Sequence, residues 1–441
     1  MNVKILFATI TTLAFSFAAT AQMPDKAKLD QLFDRLAEKN KGMGTLVITK
    51  DGNPVYTRSF GYGQISETAK KPLTEASRYR IASVTKMFTS VMILQLVEEG
   101  KLKLTDNIHT YFPQVPNAQK ITIAQLLSHR SGVPNVKPGQ EKTAPVTKDE
   151  MLALIAKAAP DFEPDTKHIY SNSGYFLLGL IVEKLTGKPY GEALAARITS
   201  KAGLKDTYVA TGGIDVNKNE SLTYFYIDGV WKQMPETHPS ILFGAGSIVS
   251  TPNDMARFAQ ALFGGKLISR EHLDLAKTMR DGDGFGMETF LFTGKTFYGH
   301  TGGGDNYGAW LAYLPEEKLA VAYASNAKGY PVADIMQGIV DIYYNKPYTI
   351  PTFETVSISQ EILDSYTGVY SMPGAPVKFT VTRDGSTLYF HPPGGQSPAP
   401  LEATAPDKFK IEGAMVIEFD AAKKQMTIKR GGGERVFTKE N

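Results

Sequence analysis

The chain has 441 residues, 42% of them hydrophobic, no cysteine, and a formal net charge of +3. The lack of cysteine excludes disulfides, thiolate metal sites, a cysteine nucleophile and lipidation through a cysteine. Acidic and basic residues are interspersed without a long Lys/Arg run, so we expect no nucleic acid partner.

The N-terminal segment has the pattern of a secretory signal peptide. Lys4 precedes an apolar stretch from Ile5 to Ala19, and Ala19-Thr20-Ala21 is a small-residue cleavage pattern before Gln22. This run is too short for a stable membrane span, and no later apolar run approaches that length. We therefore expect residues 1–21 to be removed, and the mature chain to be exported, periplasmic or secreted, without a membrane span.

The large domain that follows, residues 22–345, shows strands at both ends of a helical middle. This order indicates a sheet built from distant segments with an inserted helical lobe. Residues 133–150, 208–240 and 280–299 read as loops that would carry specificity. In chain order the patterns predict a helix over 25–40, a hairpin over 44–60 with an Asp-Gly turn, a helix from Ser83 to Gly100, a short helix capped by Thr122, a helix over 173–185, a helix capped by Thr251, strands over 307–313 and 319–324, and a helix over 332–344.

The C-terminal part has a different pattern. Residues 346–359 are rich in Pro, Thr, Ser and β-branched residues and read as a linker. Residues 360–441 read as a small antiparallel β-domain, barrel-like in form. Its predicted strands are 377–381, 387–391, 408–411, 414–419, 425–429 and 435–439.

Ser83 and Lys86 form a Ser-x-x-Lys pattern at the start of the long apolar helix. Serine is a poor nucleophile at neutral pH and needs a neighbour that takes its proton. Residues three apart share one helix face, so the Lys86 amine is expected beside the Ser83 hydroxyl and near the positive end of the helix. The pattern is short, and a second copy, Ser325 to Lys328, leaves a strand-like run and enters a turn without a helix. Further signals are needed to interpret it as a catalytic site.

Two further patterns follow in order: Tyr170-x-Asn172 before a helix, and His300-Thr301-Gly302-Gly303 before a strand. A tyrosine phenol can move protons, and an asparagine amide can orient a substrate amide. A strand edge lined by glycines can bring N–H groups against a substrate carbonyl. Each pattern alone also has an ordinary interpretation, because Tyr343-Tyr344-Asn345 repeats the first at a helix end and glycine runs are typical of loops.

Together, Ser83-x-x-Lys86, Tyr170-x-Asn172 and His300-Thr301-Gly302 resemble the three ordered signature motifs of the serine β-lactamase and penicillin-binding protein superfamily. The surrounding segments resemble its class C branch, over about residues 25–345. The resemblance implies an α+β fold, a β-lactamase/transpeptidase-like antiparallel sheet flanked by helices with an all-helical lobe. The active site would lie in the crevice between sheet and lobe.

The resemblance also implies an acyl-enzyme mechanism. Ser83 would be the nucleophile, Lys86 its proton partner, and Tyr170 the general base and then the acid toward the leaving group. Asn172 would orient the substrate, while His300, Thr301 and Gly302 line the cleft. The N–H groups of Ser83 and Gly303 would form the oxyanion hole, in which one donor is typically worth about 3 kcal/mol. No cofactor and no metal is expected, and His129 is interpreted as a structural residue.

His300 departs from the usual pattern, because typical β-lactamases have lysine there. The histidine variant is similar to D-alanyl-D-alanine carboxypeptidases, D-aminopeptidases and some esterases of the branch. Histidine is less reliably cationic at pH 7 than lysine, so a strong clamp for a substrate carboxylate is not expected.

We therefore predict an exported serine hydrolase that acts through a Ser83 acyl-enzyme on small amides, esters or D-amino-acid peptides, cell-wall peptides among them. A class C-type β-lactamase is the alternative. A non-catalytic penicillin- or cell-wall-binding protein is the alternative of another class. A Ser-His-Asp hydrolase and a zinc hydrolase are disfavoured, since the chain has neither a Gly-x-Ser-x-Gly nor a His-Glu-x-x-His motif.

Overall fold

The computed structural model describes residues 23–138, 143–227, 229–304, 306–353, 356–372, 374, 377–392, 398–411, 415–430 and 433–440. The predicted signal peptide, residues 1–21, lies outside these ranges. No helix among them is long and apolar enough to cross a membrane.

The helices and strands are numbered in chain order. The helices are α1 (Lys26–Glu38), α2 (Thr85–Glu98), α3 (Ile123–Leu127), α4 (Lys148–Lys157), α5 (Asn172–Thr186), α6 (Tyr190–Leu194), α7 (Ser200–Ala202), α8 (Pro239–Leu242), α9 (Pro252–Phe263), α10 (Arg270–Lys277), α11 (Val332–Tyr343) and α12 (Gln360–Tyr366). The strands are β1 (Gly42–Lys50), β2 (Asn53–Phe60), β3 (Tyr62–Ile65), β4 (Lys70–Pro72), β5 (Tyr79–Arg80), β6 (Tyr208–Val209), β7 (Tyr224–Ile227), β8 (Val230–Gln233), β9 (Ile248–Ser250), β10 (Glu288–Phe292), β11 (Lys295–Gly304), β12 (Tyr307–Leu314), β13 (Leu319–Lys328), β14 (Gly368–Ser371), β15 (Lys378–Asp384), β16 (Thr387–His391), β17 (Ala399–Ala405), β18 (Lys408–Ile411), β19 (Met415–Asp420), β20 (Gln425–Arg430) and β21 (Gly433–Lys439).

The main sheet joins the two ends of the large domain. Its strand order is β10-β11-β12-β13-β1-β2, with the β7–β8 hairpin attached to β13 through one parallel pair. β1 runs antiparallel to β13, so Thr45 faces Ala324 and Lys50 faces Leu319. The prediction of a sheet assembled from distant segments is confirmed.

Helices cover both faces of this sheet. On one face, α1 and α11 form a core with alternate β1 residues such as Leu46 and Ile48. On the other face, Val47 contributes to a larger core that includes α2, α5 and α9. Helix α2 is the centre of this helical lobe, since twelve of its fourteen residues are buried. A helix that is buried on every side is held by packing rather than by an amphipathic stripe.

Several helix starts follow from local chemistry. Thr122 and Gln125 form a reciprocal capping box at α3. At α9, the Thr251 hydroxyl accepts the N–H of Asp254, and Pro252 occupies the first turn, where its missing N–H costs nothing. Both predicted caps are confirmed.

The C-terminal strands β14 to β21 close into an eight-stranded antiparallel barrel, which confirms the predicted fold class. Aromatic and aliphatic side chains from alternate strand positions fill its interior. Strands β14 and β17 were absent from the sequence prediction, because β14 is short and β17 is rich in Ala, which has low β-propensity. Lys41 Nζ lies 2.7 Å from Glu402 Oε1 of the barrel, and Phe353, in the predicted linker, packs into the core that α1 and α11 form with β1.

Other sequence predictions are wrong in detail. The stretches read as loops contain regular elements: 133–150 includes the start of α4, 208–240 contains β6 to β8, and 280–299 contains β10 and half of β11. His300 to Gly303 lie inside β11 rather than before a strand, and Ser325 to Lys328 lie inside β13 rather than in a turn. Glycine-rich and mixed segments have weak strand propensity, and pairing with β12 and β13 overrides it.

Candidate active site

Ser83 lies in a single 3₁₀ turn, Ala82–Val84, between β5 and α2. The preceding residue, Ala82, has φ of +44°, which is uncommon for a residue with a side chain and costs on the order of 1 kcal/mol. The turn places the serine two residues before the start of α2 at Thr85. Its hydroxyl is therefore partly open, while its N–H belongs to the unpaired N-terminal end of the helical segment.

Lys86 lies in the first turn of α2 and is completely buried. Its Nζ lies 3.0 Å from Ser83 Oγ, 2.7 Å from Asn172 Oδ1 and 2.9 Å from the Ala245 carbonyl oxygen. These three acceptors match the three donors of an ammonium group. An uncharged amine would keep two of them and turn its lone pair toward the Ser83 hydroxyl.

Burial lowers the pKa of Lys86 to about 7, and the carboxylates of Glu288 and Asp283 oppose this shift. Desolvation disfavours the charged form of a buried lysine, while nearby negative charge favours it. A lysine with this pKa is present in both protonation states near neutral pH. It can therefore both accept and return a proton.

Tyr170 lies immediately before the α5 N-cap, with its phenol next to the Ser83 side chain. Lys86 Nζ lies 4.7 Å from the centre of the Tyr170 ring. Burial raises the pKa of Tyr170, and the charges of Glu288 and Asp283 act in the same direction. The phenol therefore stays protonated at neutral pH and is available as a proton donor.

His129 holds the tyrosine segment in place. Its carbonyl oxygen accepts the N–H of Ile169 at 3.1 Å, and its Nδ1 accepts the N–H of Ser171 at 3.1 Å. Its ring centre lies 4.3 Å from that of Tyr170. Sequence interpretation treated His129 as structural, and nothing in its local pattern indicated how close it lies to Tyr170.

Asn172 is the first residue of α5, and its position is fixed by the Ser171 cap, whose hydroxyl accepts the N–H of Gly174 at 3.1 Å. The Asn172 N–H donates to Asn135 Oδ1 at 3.2 Å. Its side-chain oxygen is used by Lys86, so its amide NH₂ is the group left to contact a ligand.

Strand β11 forms the opposite wall of the site. A Cβ on Gly302 would lie 2.2 Å from the Ile81 carbonyl oxygen and 3.2 Å from the Ser83 nitrogen, so only glycine allows this approach. Pairing of β11 with β10 stops at Gly299, which leaves the later part of this edge open. The Thr301 N–H points to that edge, toward Glu288, and since N–H directions alternate along a strand, the Gly303 N–H faces the same way.

His300 is 1% exposed, and its ring centre lies 6.4 Å from that of Tyr170. Its Nδ1 hydrogen-bonds to the Thr301 carbonyl oxygen, and burial lowers its pKa. The imidazole is therefore neutral at pH 7 and offers no fixed positive charge to a ligand.

The structure thus brings Ser83, Lys86, Tyr170, Asn172 and β11 to one cleft, as the sequence interpretation requires. It adds groups that sequence reasoning missed. Glu288 and Asp283 lie in the stretch read as a specificity loop, and no motif marks them. The Ala245 carbonyl is a backbone group that only the fold can reveal. In the part of the chain that the structure describes, no group of three or more His, Asp or Glu is arranged to hold a metal ion.

A family model described as Beta-lactamase matches residues 29–341. Penicillin-binding protein 4* of Bacillus subtilis (strain 168) is 28% identical over 445 residues, which cover 92% of this chain and 97% of that protein. The structure of the octameric penicillin-binding protein homologue from Pyrococcus abyssi aligns with a TM-score of 0.65 at 26% identity, over 94% of this chain and 100% of that one. The D-amino acid amidase from Ochrobactrum anthropi SV3 complexed with D-phenylalanine aligns with a TM-score of 0.64 at 26% identity, over 72% of this chain and 98% of that one.

Proposed function

The chain belongs to the beta-lactamase family and is a serine hydrolase, and we propose that it is exported and acts through a Ser83 acyl-enzyme on small amides, esters or D-amino-acid peptides. The observation that carries this proposal is the 3.0 Å distance between Ser83 Oγ and the Nζ of a buried Lys86 whose pKa is about 7. A nucleophilic serine needs such a neighbouring base.

In the proposed acylation, the uncharged Lys86 amine takes the Ser83 proton as Oγ forms a bond to the substrate carbonyl carbon. The N–H groups of Ser83 and Gly303 stabilise the oxyanion that develops. The bond to the leaving nitrogen or oxygen breaks as the Tyr170 phenol donates its proton to that atom. The Lys86 ammonium then restores the proton of Tyr170.

Deacylation reverses these transfers with water as the nucleophile. The same pair of groups accepts the proton of water as its oxygen attacks the acyl carbon, and returns a proton to Ser83 Oγ as the ester bond breaks. The raised pKa of Tyr170 supports a division of labour in which Lys86 is the first base and Tyr170 the acid toward the leaving group.

Two other functions stay candidates. A class C-type β-lactamase would use the same centre, but the neutral His300 offers no fixed positive charge to a β-lactam carboxylate. A non-catalytic penicillin- or cell-wall-binding protein would need no working base, and the Lys86 contacts argue against it.

Export is supported by the pattern of residues 1–21 and is tested by the mass of the protein recovered outside the cytoplasm.

The test is acylation of the purified protein by a p-nitrophenyl ester and by a fluorescent penicillin. Mass spectrometry should place one acyl group on Ser83, with a burst of p-nitrophenol. Ser83→Ala should lose both signals. The matched control is Ser325→Ala in the second Ser-x-x-Lys copy, which should keep them. Equal signals from wild type and Ser83→Ala would refute the proposal, and binding without turnover would favour the non-catalytic alternative.

A further inference from the structure

Glu288 occupies the hydrogen-bond donors of Thr301 on the open edge of β11. Glu288 Oε2 accepts the Thr301 N–H at 3.0 Å and the Thr301 hydroxyl at 3.0 Å. An ionised carboxylate accepts hydrogen bonds and has none to donate. A substrate carboxylate placed at this point would therefore meet another carboxylate instead of free donors.

Asp283 adds a second acidic group to the same wall. It forms a β-bridge with Glu288, and its Oδ2 lies 2.7 Å from His168 Nε2. Among the described residues no lysine or arginine forms an ion pair with Asp283 or Glu288. Both carboxylates also act on the reacting groups, since they raise the pKa values of Lys86 and Tyr170.

His300 provides an independent sign of a ligand with hydrogen-bond donors. A carbonyl oxygen only accepts, so the bond to Thr301 requires that His300 Nδ1 carries the proton. In the neutral ring, Nε2 is then an acceptor. It is buried and has no hydrogen-bond partner in the described residues. A buried acceptor without a partner is costly unless a ligand completes it.

These groups lie on the leaving-group side of the cleft. In the proposed mechanism Tyr170 protonates the leaving atom, and Tyr170 is the reacting group beside His300. His300 Nδ1 in turn lies 3.9 Å from Glu288 Oε1. His300 and the two carboxylates therefore line the part of the cleft next to Tyr170, where the proposed mechanism places the leaving atom.

We infer that this wall selects leaving groups that are neutral or positively charged and donate hydrogen bonds, and that it rejects leaving groups with a free carboxylate. The substrate class is thus amides and esters of amines, amino acid amides and alcohols, rather than peptides that release a C-terminal amino acid with its carboxylate. This inference rests on the proposed function and names the substrate class of the same site.

The test uses three phenyl acetates that transfer the same acetyl group and differ only in the meta substituent of the phenol: carboxylate, carboxamide or protonated aminomethyl. Each kcat/KM is divided by the rate constant for hydroxide hydrolysis, which removes the intrinsic reactivity of the ester. At low ionic strength, this normalised kcat/KM should be at least about tenfold higher for the cationic ester than for the anionic one. Added salt should reduce this cation-to-anion ratio.

Glu288→Gln keeps an acceptor oxygen for Thr301 and removes the charge, so it should reduce the ratio about tenfold. Asp283→Asn is the second variant and should change the ratio in the same direction. Glu316→Gln removes an exposed carboxylate in the β12–β13 connection and should leave the ratio unchanged.

The inference would be overturned by a cation-to-anion ratio of kcat/KM at or below one, or by a ratio that neither Glu288→Gln nor Asp283→Asn changes. In either case the proposed function would still stand if the carboxamide ester acylates the protein in a Ser83-dependent way. Absence of Ser83-dependent acylation by all three esters would instead refute the proposed function, and the inference with it.

Discussion

Lys86 Nζ lies 3.0 Å from Ser83 Oγ at the base of the cleft, and the same nitrogen is held by Asn172 and the Ala245 carbonyl. The nucleophile and its proton acceptor are thus fixed relative to each other by two further segments of the chain. Such preorganisation replaces the rearrangement that the reaction would otherwise require.

Lys86→Arg tests the requirement for a neutral amine. Arginine keeps the positive charge but does not deprotonate in proteins, so it cannot accept the Ser83 proton. We expect the burst of p-nitrophenol to slow by about 10²- to 10⁴-fold, the usual contribution of a general base. Lys148→Arg, at an exposed ion pair with Glu183, should leave the burst unchanged. An active Lys86→Arg enzyme would show that Lys86 acts only as a charge.

The pH dependence of acylation follows from the pKa of Lys86, which is about 7. The amine form increases as pH rises through this value, so kcat/KM should rise from about pH 6 and level off above about pH 8. In Glu288→Gln a negative charge that raises the pKa of Lys86 is gone, so the acidic limb should move to lower pH. A limb that moves to higher pH, or a flat profile in wild type, would contradict this assignment.

Gly302→Ala tests the close approach of β11 to the serine turn. The new Cβ would lie 2.2 Å from the Ile81 carbonyl oxygen, which is backbone and cannot rotate away. Strand and turn must separate, and a displacement of about 1 Å at reacting groups can cost about 10²-fold in rate. Steady-state ester hydrolysis and thermal unfolding should be measured together. Gly213→Ala is the control, because a Cβ there meets nothing within 4 Å.

His129 makes stability depend on pH. Burial lowers its pKa well below the ordinary value of about 6.5, so the unfolded chain binds a proton that the folded chain does not. The buried, neutral His129 therefore makes its full contribution to the free energy of unfolding above about pH 6.5. This contribution is lost as the pH falls from there toward the pKa of His129 in the folded protein. His129→Asn should show a smaller loss of unfolding free energy between about pH 6.5 and pH 5 in denaturant titrations.

The His129→Asn enzyme should also have a lower kcat, because the Tyr170 segment loses its ring contact. His109→Asn, at an exposed histidine, provides the control and should follow the wild type in both measurements. Identical stability profiles for wild type and His129→Asn would rule out the proposed role of burial.

Local chemistry predicted much of this fold. The Asp51-Gly52 turn, the Thr122 and Thr251 caps and the apolar run after Ser83 each specify an element within a few residues. Glu288 could not be found this way, because its contact with Thr301 depends on the register of β10 against β11. The low pKa of Lys86 likewise depends on burial by segments far apart in sequence. The sequence motifs identify the residues of the site, whereas tertiary packing determines the charge that these residues carry.

Helix α2 packs tightly on all sides, and the half-buried Ser83 lies in the 3₁₀ turn directly before it, next to the strained Ala82. A nucleophile held directly before such an enclosed helix is expected to keep its position during turnover. Motion must then come from the substrate and from the outer walls of the cleft. Evolution of new substrate preferences is accordingly expected to alter those walls, such as the strand that begins at Glu288, while leaving the anchoring helix untouched.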